Sequence, residues 1–184
     1  ADWPARAPRS LPSRRVVFAE GEEEKVIRAA IAFRQAGYGT PVLVGREDRI
    51  GITVAALGIP LPQGIEILNA RLSDRNRVYA EWLYARRQRE GVLLRDCQRL
   101  VNQDRNVFAA CVVACGDADA MVTGVTRSYA AALEGVRMVI DPQPDTVLFG
   151  LTLMLARRSG TVLVADTAMH ERPDPATLAE IAIK

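Results

Sequence analysis

Histidine occurs once in the 184 residues, at His170. A Ser-His-Asp or Cys-His centre therefore has a single candidate base, no nucleophile pattern lies near it, and a loop position is the expectation for His170. Aromatic residues make up 5% of the chain, too few for a base-stacking platform. An excess of one charge sign is also lacking. The 24 Lys and Arg stand against 22 Asp and Glu, a formal net charge of +2. That balance gives no general electrostatic reason to bind nucleic acid. No apolar run approaches the roughly 18 to 20 residues that cross a bilayer, so a membrane span is excluded. The three cysteines, Cys97, Cys111 and Cys115, lack CxxC spacing. They form neither a disulfide framework nor a zinc site, and buried free thiols in a reducing cytoplasm are expected. Walker A and HExxH patterns are missing. The first strand-to-helix turn, Ala19-Glu20-Gly21-Glu22-Glu23-Glu24, has one glycine and a row of acids where a dinucleotide fingerprint needs GxGxxG. Those acids would repel a pyrophosphate, which argues against a nicotinamide site in this chain.

What is present is the balance of a soluble globular protein, 49% hydrophobic and 25% charged. The length suits one domain, or one domain and part of a second. Residues 1–14 (ADWPARAPRSLPSR) are rich in Pro and Arg and lack an apolar h-region, so they read as a linker or leader rather than a secretory signal. The chain begins with Ala1 and stops at Lys184 inside a helical pattern, and the expectation is one piece of a longer polypeptide.

Arg15-Val16-Val17-Phe18-Ala19 is a β-branched-rich run of the kind that makes a strand buried on both faces. Glu22, Glu23 and Glu24 open a helix, where acids suit the positive end of the dipole. Val26, Ile27, Ala30 and Ile31 form its apolar stripe, and Gly37 suits a left-handed stop. Pro41 to Gly45 is the next strand, which completes a βαβ unit. A helix over 46–58 and a strand over 65–68 follow. Val78, Tyr79, Trp82 and Leu83 share a face of a helix over 74–90, and 93–102 is a weaker helix. Val107, Phe108, Cys111, Val112 and Cys115 share a face of 104–115. Ala120 to Gly124 is a strand running into a glycine turn, and Tyr129 to Ile140 is helical. Asp141-Pro142-Gln143-Pro144-Asp145 marks a domain boundary, with 15–140 before it and 141–184 after it. Beyond it, 147–155 and 161–165 are strands joined by a turn at 157–160, and Asp174 and Pro175 open a last helix.

The most informative stretch is Gly116 to Ser128 (GDADAMVTGVTRS). A strand ends at Thr123, and Gly124 lets another backbone or a ligand come close. The hydroxyls of Thr123, Thr126 and Ser128 and the cation of Arg127 precede a helix. In an open α/β sheet this is where anions bind. A polar turn in which Ser128 merely caps the helix is the alternative, and the residues leave both open.

Here a specific resemblance enters. The segment resembles the strand-loop-helix of the phosphate acetyl/butyryl transferase family, whose pattern runs roughly GDADGMVSGAxHSTADTLRPA. Three more stretches resemble family segments in order. They are Arg15 to Glu22 with Val26 to Ala30 (family VFPEGEDERVLRAA), Tyr84 to Gly91 (YxLRKxKG), and Ala165-Asp166-Thr167 with Pro173 to Ala182 (ADxxVNPDPTAEQLAEIA). The resemblance covers about residues 14–184. It implies enzymes that exchange acetyl between acetyl phosphate and coenzyme A across a cleft between two α/β domains. It also implies an open, mostly parallel sheet flanked by helices, of isocitrate/isopropylmalate dehydrogenase-like type, with 141–184 starting a second α/β domain.

Two departures bear on activity. Arg87 matches one functional arginine of the family, but the arginine of the LRPA motif falls on Glu134. At about 4 Å and an effective dielectric near 20 a unit charge is worth about 4 kcal/mol, so this exchange opposes phosphate binding. The family's catalytic serine, arginine and aspartate lie further along than Lys184, so no catalytic residue is expected here. Thr123 to Tyr129 and Asp166 to Glu171 resemble the transferase-like C-terminal domain of bacterial NADP-dependent malic enzymes. That resemblance implies a non-catalytic domain serving oligomerisation and acetyl-CoA inhibition in a cytoplasmic homo-oligomer, with NADP and a divalent metal confined to an upstream domain. The acyl-CoA or phosphate contacts it implies are Arg87, Thr123, Gly124, Thr126, Arg127, Ser128 and Asp166, where Asp166 has a turn cap as its alternative and Arg87 a solvated helix position. Part of a working phosphate acetyltransferase and a ligand-free dimerisation module are the competing readings.

Overall fold

Four short β-rich runs line up side by side in the computed structural model, which describes residues 13–156 and 160–184. They are β1 (Arg14–Phe18), β2 (Gly39–Val44), β3 (Glu66–Leu68) and β4 (Ala120–Val122), in the order β3-β2-β1-β4. Every pairing is parallel, with Val17 opposite Val42 and Met121, and Leu43 opposite Ile67. Alternate residues of one strand feed opposite faces, so near-continuous apolar strands require cover on both sides. Phe18 and Leu43 pack against α1 (Glu24–Gln35) and α2 (Glu47–Leu57) through Val26, Ile27, Ala30, Ile31 and Ile50. Val17, Val42 and Val44 pack on the other face against α3 (Asn76–Arg87), α4 (Leu94–Gln103) and α5 (Arg105–Ala114). α5 is the central helix, with every residue from Asn106 to Val112 buried. Burying each large aliphatic or aromatic side chain here contributes roughly 1.5–3 kcal/mol. This is an α/β unit with a parallel sheet flanked by helices. The chain divides into two compact units at Ile140/Asp141.

The departures from expectation have local causes. β1 starts at Arg14, one residue inside the expected leader; the rest of that segment, 1–12, lies outside the described residues. α1 begins at Glu24, not Glu22, because the backbone first turns, with Gly21 N donating to Val44 O and Glu23 N to Glu20 O, and Glu23 is an extended cap residue. Tyr79, Ala80 and Leu83 are the buried face of α3, whereas Val78 and Trp82 sit on its exposed shoulder. The Arg86 guanidinium stacks 5.8 Å from the Trp82 ring. Cys97 and Cys111 are buried free thiols as expected, but Cys115 is only half-buried. Burial pushes the Cys111 thiol up to about 12.

α6 (Tyr129–Arg137) ends before Ile140, where the Val139 and Ile140 amides both donate to Val136 O; beyond them the Arg87 guanidinium donates through Nε to Met138 O at 2.8 Å and through Nη2 to Arg137 O. In the second unit, β5 (Leu151–Ala156) starts four residues later than expected. The Val147 amide donates to Glu180 and the Gly150 amide to Asp166, so neither is available to a ladder. β5 pairs antiparallel with β6 (Gly160–Ala165), Leu153 opposite Leu163. Residues 157–159 of the expected turn lie outside the described residues. α7 (Pro175–Ile183) is capped by Asp174, which accepts from Thr177 N at 2.7 Å, with Pro175 in the first turn. Among the described residues no helix is long and apolar enough to cross a membrane.

Candidate functional site

The chain starts at β1, steps outward to β2 and β3, and returns to place β4 on the other side of β1. The crevice beyond the carboxyl ends of β1 and β4 is thus the switch point of the sheet, the usual ligand position in an open α/β fold. Two loops meet there. Glu20 follows β1 and is only 3% exposed. Its Oε2 accepts from the Gly124 and Val125 amides at 3.0 and 2.7 Å. Its Oε1 accepts from the Thr126 amide at 2.7 Å and from the Thr126 hydroxyl. Gly124, at φ +104°, supplies the left-handed residue that turns these amides inward. Burial alone would raise the Glu20 carboxyl, but the donors of Thr126, Val125 and Gly124 outweigh it and hold it below the ordinary carboxylate range.

The end of α5 supplies the other wall. Asp104 caps this helix, accepting from the Asn106 and Val107 amides at 2.8 and 3.1 Å, and its second oxygen pairs with Arg127 at 2.6 Å. Asn106 is 1% exposed; its Oδ1 accepts from the Thr123 hydroxyl at 2.6 Å, and its Nδ2 has no partner among the described residues. A cleft of about 390 Å³ lies between Glu20, Arg105, Asn106, Thr126 and Arg127. An apolar hollow of about 290 Å³ adjoins it, walled by Gly124, Tyr129, Leu133 and Val136.

Five of the predicted contacts, Thr123, Gly124, Thr126, Arg127 and Ser128, come together in this loop. The amides expected to greet an anion already hold Glu20, and Ser128 caps α6 through the Ala131 amide at 3.4 Å. What remains for a ligand is hydroxyls, the shared Arg127 cation and the Asn106 amide. Arg87 is not among them. It sits at the far end of α6, where its carbonyl bonds are joined by a 2.6 Å pair to Glu90, and its side chain is 21% exposed. Nine helical residues separate the two ends by about 13 Å at 1.5 Å each. Glu134 is exposed on α6 and makes no ion pair among the described residues, so the 4 Å Coulomb argument has no partner to act on within this unit.

Asp166, in the second unit, is 3% exposed in its side chain. It accepts from the Gly150, Ala168, Met169 and His170 amides and lies 2.7 Å from His170 Nδ1. Burial opposes its charge, but these donors hold it well below the usual carboxylate range. The bonds to Ala168, Met169 and His170 organise the 166–170 turn, and His170 lies in that loop.

Sequence reasoning missed Glu20, Asp104 and Asn106. The signal for Asp104 was legible, since Asp precedes the apolar run of α5. Glu20 was counted as a repulsive acid, although an acid in a strand-to-helix turn and an amide-rich glycine turn are complementary wherever a sheet brings them together.

A family model described as phosphate acetyl/butaryl transferase matches residues 7–184. The chain belongs to that family. It is 53% identical over 170 residues to an NADP-dependent malic enzyme of Rhizobium meliloti, covering 92% of this chain and 22% of that protein. It is 47% identical over 174 residues to a probable NADP-dependent malic enzyme of Rickettsia prowazekii, covering 94% and 23%. The chain thus spans under a quarter of the length of these curated relatives. The EutD phosphotransacetylase of Staphylococcus aureus shares the fold, with a TM-score of 0.83 at 24% identity over 93% of this chain and 51% of that one. The resemblance to the transferase-like domain of NADP-dependent malic enzymes is borne out.

Proposed function

We propose that this chain is the phosphate acetyltransferase-like, non-catalytic domain of an NADP-dependent malic enzyme, and that it serves assembly and acetyl-CoA regulation. The observation that carries this reading is the state of the two family arginine positions. Arg87 is engaged by the Arg137 and Met138 carbonyls and by Glu90, and the other position is the exposed acid Glu134. Acyl transfer from a phosphate develops negative charge that needs preorganised cations. Neither position offers one within this unit.

The parent would convert malate to pyruvate and CO2 in the cytoplasm, using NADP and a divalent metal bound upstream. The fold would be of isocitrate/isopropylmalate dehydrogenase-like type, with 141–184 opening the second domain. Acetyl-CoA would lie along the β4 loop, its pantetheine arm on the Tyr129–Leu133–Val136 hollow and its phosphates near Arg127, Thr126 and Asn106. Regulation would follow from linkage: a ligand that binds one quaternary state better lowers activity in proportion to that difference. The apolar β5–β6 ribbon supports an assembly role, with Leu153 and Leu163 exposed on one face and Met154 and Val162 on the other.

A working transferase is the competing reading, favoured by the intact Glu20 fastening of the loop. The test is acetyl-CoA formation from acetyl phosphate and CoA by the full polypeptide and its Glu134→Arg variant. No turnover by the native protein is expected, and robust native turnover would overturn the proposal.

A further inference from the structure

A second cleft, of about 230 Å³, opens beyond the carboxyl ends of β2 and β3 and shares Gln103 and Arg105 with the cleft at the β4 loop. Three guanidiniums line it: Arg46 at the start of α2, Arg71 in the turn after β3 and Arg105 at the start of α5. One carboxylate faces them. Glu22 accepts from the Arg46 amide at 2.9 Å, from Arg46 Nε at 3.1 Å and from Arg105 Nη2 at 3.0 Å. These bonds account for two cations. Among the described residues the Arg71 guanidinium has no hydrogen bond or ion pair, so the cleft carries a surplus of two positive charges.

Three amide side chains, Asn69, Asn102 and Gln103, share the lining. The Asn69 oxygen accepts from the Arg71 amide at 3.0 Å and the Asn102 oxygen from Asn76 Nδ2 at 2.7 Å. Those bonds fix the amide orientations and leave both NH2 groups without a partner among the described residues. Beside the one engaged carboxylate, the cleft therefore presents the Asn69 and Asn102 NH2 groups and the Arg71 guanidinium as donors. Like-charged guanidiniums gathered around an open volume repel one another, and nothing in the packing requires the third.

We infer that this cleft is a phosphate-monoester site, in which Arg71 is the cation left for the ligand and Glu22 holds Arg46 and Arg105 in position around it. A phosphate monoester is a dianion at neutral pH that matches the surplus charge, and its three oxygens suit forked guanidiniums better than a carboxylate's two. This inference does not rest on the proposed function, since any phosphorylated ligand would use it.

The experiment is calorimetric titration of the full polypeptide with inorganic phosphate and, separately, with AMP. Binding is expected to weaken about tenfold in Arg71→Ala, with less loss in Arg71→Lys, which keeps charge but not the fork. Because Arg71 makes no side-chain bond among the described residues, the thermal midpoint should not move in either variant. Affinity should fall with added salt and, for AMP, rise from pH 5 to 7 as the monoester's second proton, of pKa about 6, leaves. Tighter binding of AMP than of phosphate assigns a nucleotide-type ligand, and equal binding assigns free phosphate. Absence of binding by both at millimolar concentration overturns the inference. So does binding that is indifferent to Arg71→Ala but lost in Arg127→Ala.

Discussion

Glu20 is a buried carboxylate that ties two distant loops together. Three amides and a hydroxyl from a loop more than a hundred residues away converge on one buried carboxylate. Hydrogen bonds to a charged acceptor are each worth about 1.5–3 kcal/mol, and their loss is not additive. Glu20→Gln places an NH2 group against the same N–H donors. A loss of about 3 kcal/mol in urea unfolding is expected, with faster hydrogen exchange at Gly124, Val125 and Thr126. An unchanged midpoint would refute the role given to this side chain. The pH dependence follows from the same bonds. The carboxyls of Glu20 and Glu22 are both depressed in the fold: burial opposes this, and hydrogen bonds with, for Glu22, the Arg105 and Arg46 charges outweigh it. The unfolded chain therefore binds these protons at higher pH than the folded one. Their stabilisation is fully present above the unfolded value of about 4.3 and is lost as pH falls through the folded values. Glu20→Gln should flatten that acid limb. The two partners were each visible in the sequence, but nothing local says that a β1 turn and a β4 turn will face each other, because only the sheet order makes them neighbours.

Periodicity made most helices and strands legible. The Val26, Ile27, Ala30 and Ile31 stripe is buried as its spacing predicts, and Gly37 at φ +75° ends α1. The errors fell where backbone groups find partners off the regular ladder. α6 stops short where the Val139 and Ile140 amides converge on the Val136 carbonyl, and β5 starts late because Glu180 and Asp166 take its leading amides. Such substitutions leave no trace in a hydrophobic pattern. Gly21 shows the opposite case, a residue whose role is spatial and readable only in three dimensions. Its amide donates to Val44 O at 3.0 Å, and a Cβ there would lie 2.8 Å from Leu43 Cβ and 2.9 Å from Val44 N and O. Backbone cannot yield as a flexible side chain does. Gly21→Ala should therefore cost about 2 kcal/mol or more in chemical unfolding, against a few tenths for Ala at an open site. A neutral result would show that the β1–α1 turn has room to shift.

Taken entire, the molecule is an α/β unit with a parallel sheet, followed by a unit whose ribbon is apolar on both faces. The family was legible because its motifs keep their order. The site was legible only as a place: Thr123 to Ser128 does lie at the sheet's switch point, while Arg87 and Asp166 have structural partners that spacing could not reveal. Regulation without acyl transfer, as proposed for this domain, is tested by following malate oxidation by the full polypeptide while acetyl-CoA is titrated. Saturable inhibition, weakened in Arg127→Ala at unchanged activity without acetyl-CoA, is the predicted result. Malate oxidation indifferent to acetyl-CoA, with no heat of binding, would contradict it.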